Sequence, residues 1–177
     1  MTAPHKEVVA ASRRTSGILY TAPALREAAA LLADLYAAGE GHGVRAGDWA
    51  AQGADLPGLA LNAVTARHRR GYAALSPHRV EELYRRMERE LAKAGIAPEG
   101  RYKGRVLLPR FARTPPWGWS GEAALTVGFS GGDGWTLQLA QERTPVIDVV
   151  APAEAAVAEL VAEILTGGRE DPLSPRP

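Results

Sequence analysis

The sequence predicts an α+β fold: a helical N-terminal half followed by a three- to four-stranded antiparallel sheet packed by a C-terminal helix. Three observations predict it. Apolar residues recur at helical spacing in three segments before residue 95. Short strand-like runs punctuated by glycine and proline occupy 106–150. A last amphipathic stripe follows Pro152. Helices in one half and strands in the other indicate segregated rather than alternating elements.

The expected organisation is a weakly structured lead-in over 1–20, a helical region over 21–95, the sheet with its C-terminal helix over 96–166, and a disordered tail over 167–177. Thr21 and Pro23 suit a helix start, and Leu25, Ala28, Ala29, Leu32, Leu35 and Tyr36 give the helix over 22–38 one buried face. A glycine-rich connection follows, with a short helical turn between Asp48 and Ala54 that turns Trp49 inward. Asp55 reads as an N-cap with Pro57 in the first turn, and this helix runs to about Arg70, stopped by Gly71. Ser76-Pro77 opens the next helix, whose stripe is Val80, Leu83, Tyr84, Met87, Leu91 and Ala94. Glu81 with Arg85 and Glu82 with Arg86 are expected i,i+4 pairs worth about 0.3 kcal/mol each.

Strands are expected at Val106–Leu108, Ala124–Phe129, Trp135–Ala140 and Val146–Val150. Pro109 lacks an N–H, which confines the first of these to an edge or a break. Ser130-Gly131-Gly132-Asp133-Gly134 reads as a hairpin turn, because glycine supplies the positive φ it needs. Val157, Leu160, Val161, Ile164 and Leu165 form the stripe of the final helix.

With 46% apolar residues in 177, the chain has enough material for a core. It has no cysteine, so disulfides, thiolate catalysis and cysteine-ligated metal clusters are excluded. No apolar run approaches the roughly 20 residues of a membrane helix, and no membrane partner is expected. Ser12-Arg13-Arg14-Thr15-Ser16 is similar to a twin-arginine export signal. Pro23, Arg26 and Glu27 interrupt the apolar stretch such a signal requires, and the expected location is cytoplasmic.

Net charge is +1, but it is unevenly distributed. Between Arg67 and Arg113 thirteen basic side chains stand against five acidic ones, a net of +8; between Ser120 and Asp171 two stand against nine, a net of −7. Such polarity serves either an external partner or internal pairing.

No catalytic constellation emerges. Gly128-Phe129-Ser130-Gly131-Gly132 matches the nucleophile-elbow pattern, but that motif requires a following helix and a later histidine, and the last histidine is His78. Gly39-Glu40-Gly41-His42-Gly43 follows a helix instead of preceding one, so it lacks the setting of a phosphate loop. His5, His42, His68 and His78 have no partner at metal-ligand spacing. Among scattered carboxylates, Asp148 should face solvent, opposite Ile147 and Val149. No metal and no cofactor are expected.

Arg67-His68-Arg69-Arg70 is the densest basic cluster. At a helix C-terminus it complements the dipole, and it also suits phosphate contact. The short helical turn followed by a helix over 56–70 is similar to a helix-turn-helix. The N-terminal residues that would read bases are Leu56-Pro57-Gly58-Leu59, however, so contact with phosphates fits better than base readout. The helix–strands–helix order of the second half is similar to double-stranded RNA-binding domains, but Glu154 and Glu159 occupy the helix end where those domains carry basic residues.

Candidate nucleic-acid-binding residues are therefore Arg67, His68, Arg69, Arg70, Arg85, Arg86 and Arg89. Trp117 and Trp119, on a proline-rich loop, are candidates for a docking surface or a stacking platform. The expected function is a non-catalytic binding module that engages nucleic acid phosphates, without sequence specificity, through 67–113. The alternative is a protein–protein assembly or chaperone-like module that uses its charge polarity, with homo-oligomers allowed. An enzyme with a site assembled only in three dimensions ranks third.

Overall fold

The computed structural model describes residues 2–113, 121–139 and 146–168, with only the backbone of 111–113 and 121–123. Six helices and six strands follow in the order α1 (Ala3–Ser12), β1 (Ile18–Tyr20), α2 (Ala22–Gly41), α3 (Ala46–Ala51), α4 (Leu56–Arg70), α5 (Pro77–Lys93), β2 (Gly100–Tyr102), β3 (Arg105–Arg113), β4 (Gly121–Ser130), β5 (Gly134–Leu139), β6 (Ile147–Val150) and α6 (Glu154–Leu165). The sheet has six strands in the order β1-β6-β5-β4-β3-β2. All neighbours are antiparallel except β1 and β6, which run parallel.

Two expectations are corrected here. The sheet is a six-stranded mixed one, not a three- to four-stranded antiparallel one. In place of the weakly structured lead-in expected over 1–20, Ala3–Ser12 form α1 and Ile18–Tyr20 form β1. The triplet Ile18–Tyr20 is too short to show alternation, and its partners Asp148–Val150 lie far along the chain. α1 buries only Val8 and Ala11, too few residues to mark a period.

The sheet separates two cores. On one face, Val106, Leu108, Leu125, Val127, Trp135, Leu137, Ile147 and Val149 pack with Tyr84, Met87 and Leu91 of α5 and with Val157, Leu160, Val161 and Ile164 of α6. On the other, α1, α2 and α4 pack around Tyr20 and Val150, with Leu32, Ala60, Leu61 and Val64 at the centre. Tyr36 of α2 donates to Glu7 of α1; burial and that carboxylate push its pKa up to about 12.

Several local expectations match the structure. Asp55 caps α4 by accepting from the Gly58 N–H at 3.1 Å, and Ser76 caps α5 by accepting from the Arg79 N–H at 3.4 Å. The turn between β4 and β5 has Gly132 at φ 98° and Gly134 at φ 88°. Pro109 lies in a register irregularity between Leu107 and Arg110, where β3 has run past the end of its pairing with β2. It is thus both at an edge and at a break, which costs the sheet no ladder bond.

Candidate nucleic-acid interface

α5 lies on the sheet through Tyr84, Met87 and Leu91, all buried, and turns the opposite side to solvent. Helical spacing places His78, Glu82, Arg85, Arg86, Arg89 and Lys93 on that outer side, and His78, Arg85, Arg86, Arg89 and Lys93 are exposed. Arg85 pairs with Glu81 at 3.4 Å. Glu82 pairs with Arg79 at 3.1 Å and His78 at 3.6 Å, not with Arg86. Arg86 and Arg89 therefore have no acidic partner among the described residues. Exposed pairs of this kind are weak and yield readily to a competing anion.

The acids on the flank of α5 are occupied. Arg101 donates to Glu88 and Glu81, each at 2.7 Å, and lies over the Tyr84 ring at 5.0 Å. These two carboxylates raise the Arg101 pKa, and Arg101 in turn holds Glu81 below the ordinary carboxylate range. The result is an outer face on which fixed positive charge outweighs negative.

The Arg67-His68-Arg69-Arg70 cluster lies on the other side of the sheet, at the end of α4, and most of it is engaged within the fold. Arg67 and His68 both bind Glu27 of α2. Burial and the adjacent Arg67 lower the His68 pKa, and its Nε2 lies 3.1 Å from the Glu27 carboxylate. Arg69 donates to Asp148 at 2.7 Å. Arg70 is exposed and has no acidic partner among the described residues. The chain crosses from one face of the sheet to the other over 71–76, so the two groups of candidate arginines form two surfaces.

Asp148 is corrected from a solvent-facing position. Alternation does turn it away from buried Ile147 and Val149, but α4 overlies that face and supplies Arg69. Burial raises the Asp148 pKa, against the opposing effect of Arg69.

A second polar feature escaped the sequence reading. Arg105, Gly128, Thr136 and Asp148 are cross-strand neighbours in one row over four strands. Arg105 lies along this row. Its Nε donates to Thr126 Oγ1 at 2.8 Å, Nη1 to Thr136 Oγ1 at 3.0 Å, and Nη2 to the carbonyls of Thr126 at 3.4 Å and Thr136 at 3.0 Å. Gly128 makes room for it, since an ideal Cβ there would stand 2.2 Å from Nη1. Thr126 and Thr136 are each 3% exposed. The only signal in the sequence was Gly128 itself, a glycine inside a strand, which often marks a close approach.

Among the described residues, no group of three or more His, Asp or Glu side chains converges as a metal site, and no helix is long and apolar enough to cross a membrane. Trp117 and Trp119 lie outside the described residues. No protein-family model matches the chain, and none of the curated proteins or solved structures compared with it matches either.

Proposed function

We propose that the protein is a non-catalytic binding module that engages nucleic acid phosphates through the outer face of α5. The observation that carries this reading is the pair Arg86 and Arg89, exposed on a helix anchored by Tyr84, Met87 and Leu91 and without acidic partners among the described residues. Arg85 and Lys93 flank them. A single convex helix face on which cations outnumber acids favours contact with the phosphate backbone. Affinity for mixed-sequence single- and double-stranded DNA and RNA should fall steeply between about 50 mM and about 200 mM salt. No binding at the lower salt concentration would refute the proposal, and a preference among the four probes would define the partner.

A second reading, self-assembly, is favoured by one observation. β2 is a terminal strand whose three residues are all exposed, with Tyr102 57% exposed. Such an edge can receive a strand from a second copy. A concentration-dependent dimer in light scattering that Tyr102→Asp abolishes would support it. A monomer at every concentration would dismiss it.

A further inference from the structure

On the sheet face that carries α1, α2 and α4, the described strand residues that pack apolar surface against the helices are Ile18, Tyr20 and Val150. Beside it runs the polar row of Arg105, Thr136 and Asp148. We propose that this row, together with Arg69, is a binding site for a single carboxylate group of a small molecule, held between the guanidinium groups of Arg105 and Arg69. The site is separate from the outer face of α5, which lies on the opposite side of the sheet.

Four observations support it. First, Arg105 is partly buried, and among the described residues its hydrogen bonds all go to neutral acceptors, two threonine hydroxyls and two carbonyls. No carboxylate among the described residues offsets its charge, and desolvation lowers its pKa. A partly desolvated cation without a counter-ion attracts one. Second, among the described residues four of its five N–H donors are used, leaving one on Nη1. Third, Nε of Arg69 is buried and has no hydrogen-bond partner among the described residues, while its Nη2 holds Asp148. Fourth, Arg105 reaches Thr136, which is paired in register with Asp148 on the next strand, about 4.8 Å away. The two unused donors thus belong to side chains that bond Thr136 on β5 and Asp148 on β6, which are neighbouring strands.

Charge selects the ligand class. Two guanidinium groups and the Asp148 carboxylate give the row a net +1, which one monovalent carboxylate neutralises. A phosphate dianion would overcompensate and would be repelled by Asp148. Asp133, the other acid near Asp148, is exposed on the β4–β5 turn, where solvent screens it.

The test is an amide NMR titration of the whole protein at about pH 7 with acetate, propionate, benzoate and inorganic phosphate, each to about 20 mM at constant ionic strength. At least one carboxylate should produce saturable shifts at Gly128 and Thr136, and Arg105→Met should weaken that binding at least about tenfold. If Arg105→Met fails to fold, Arg69→Gln takes its place, since it leaves every Arg105 bond intact, and it should weaken binding at least about threefold. The proposal is overturned if no carboxylate gives saturable shifts, if phosphate binds more tightly than all three, or if the folded variant binds as well as the parent protein. Arg86 and Arg89 variants should leave this titration unchanged, so its outcome is independent of nucleic acid binding.

Discussion

At Gly128, replacing hydrogen with a methyl group would place a carbon 2.2 Å from Nη1 and 2.5 Å from Cζ of Arg105. The guanidinium would have to leave the row and give up its bonds to Thr136. Gly128→Ala should therefore destabilise the protein by about 1–3 kcal/mol. In an Arg105→Ala background the same change should cost much less, because the clash is gone; chemical denaturation of the double-mutant cycle measures this, and additive effects would contradict it. Asp148 carries a pH prediction. Its folded pKa is raised, chiefly by burial, so its contribution to stability is fully present below the ordinary value of 3.8 and is lost as pH rises through the folded value. Asp148→Asn, which can still accept from Arg69, should be at least as stable as the parent near pH 7 and lose that relative advantage toward about pH 3.5 in a melting series. The Arg69–Asp148 pair was hidden from the sequence because periodicity assigns Asp148 to a face but does not say what lies over that face.

Among the elements, α5 was legible to the residue at its start and within one residue of its end, because cap, proline and apolar stripe all agree over Pro77–Lys93. What sequence alone could not supply is its attachment. The Tyr84 hydroxyl donates to the Gly104 carbonyl and accepts from the Phe129 N–H at 2.8 Å, joining α5 to the β2–β3 hairpin and to β4. Tyr84→Phe should cost about 1–3 kcal/mol, since it leaves both groups without this partner. Amide exchange at Phe129 should quicken out of proportion to the rest of β4; unchanged protection there would show that the hydroxyl is dispensable. Neither β1 nor β2 was legible, each being three residues long. A strand of that length shows no alternation, and only its neighbours define it.

At the scale of the molecule, the N-terminal segment closes both cores: Val8 and Ala11 of α1 and Tyr20 of β1 enter one, and Leu19 enters the other. Deleting residues 1–20 exposes these partners and should cost more than about 5 kcal/mol, comparable with the whole stability of a domain. Thermal unfolding of the truncated chain should lose its cooperative transition, whereas a weakly structured lead-in could be removed without effect. Charge shows the same contrast between chain and fold. The basic run 67–113 is continuous in sequence, yet the crossing at 71–76 divides it between two faces, and much of it pairs with Glu27, Glu81, Glu82, Glu88, Glu90 and Asp148. The six candidate arginines and His68 were thus legible as residue types but not as a surface. Phosphate contact by Arg86 and Arg89 of α5 is read from the salt dependence of binding to a mixed-sequence nucleic acid, for the parent protein and for Arg86→Gln/Arg89→Gln. The slope of log K against log salt should fall in magnitude by about 1.4–1.8 in the double variant, two phosphate contacts' worth, with melting temperature preserved. An unchanged slope and affinity in a folded double variant would show that these arginines make no phosphate contact.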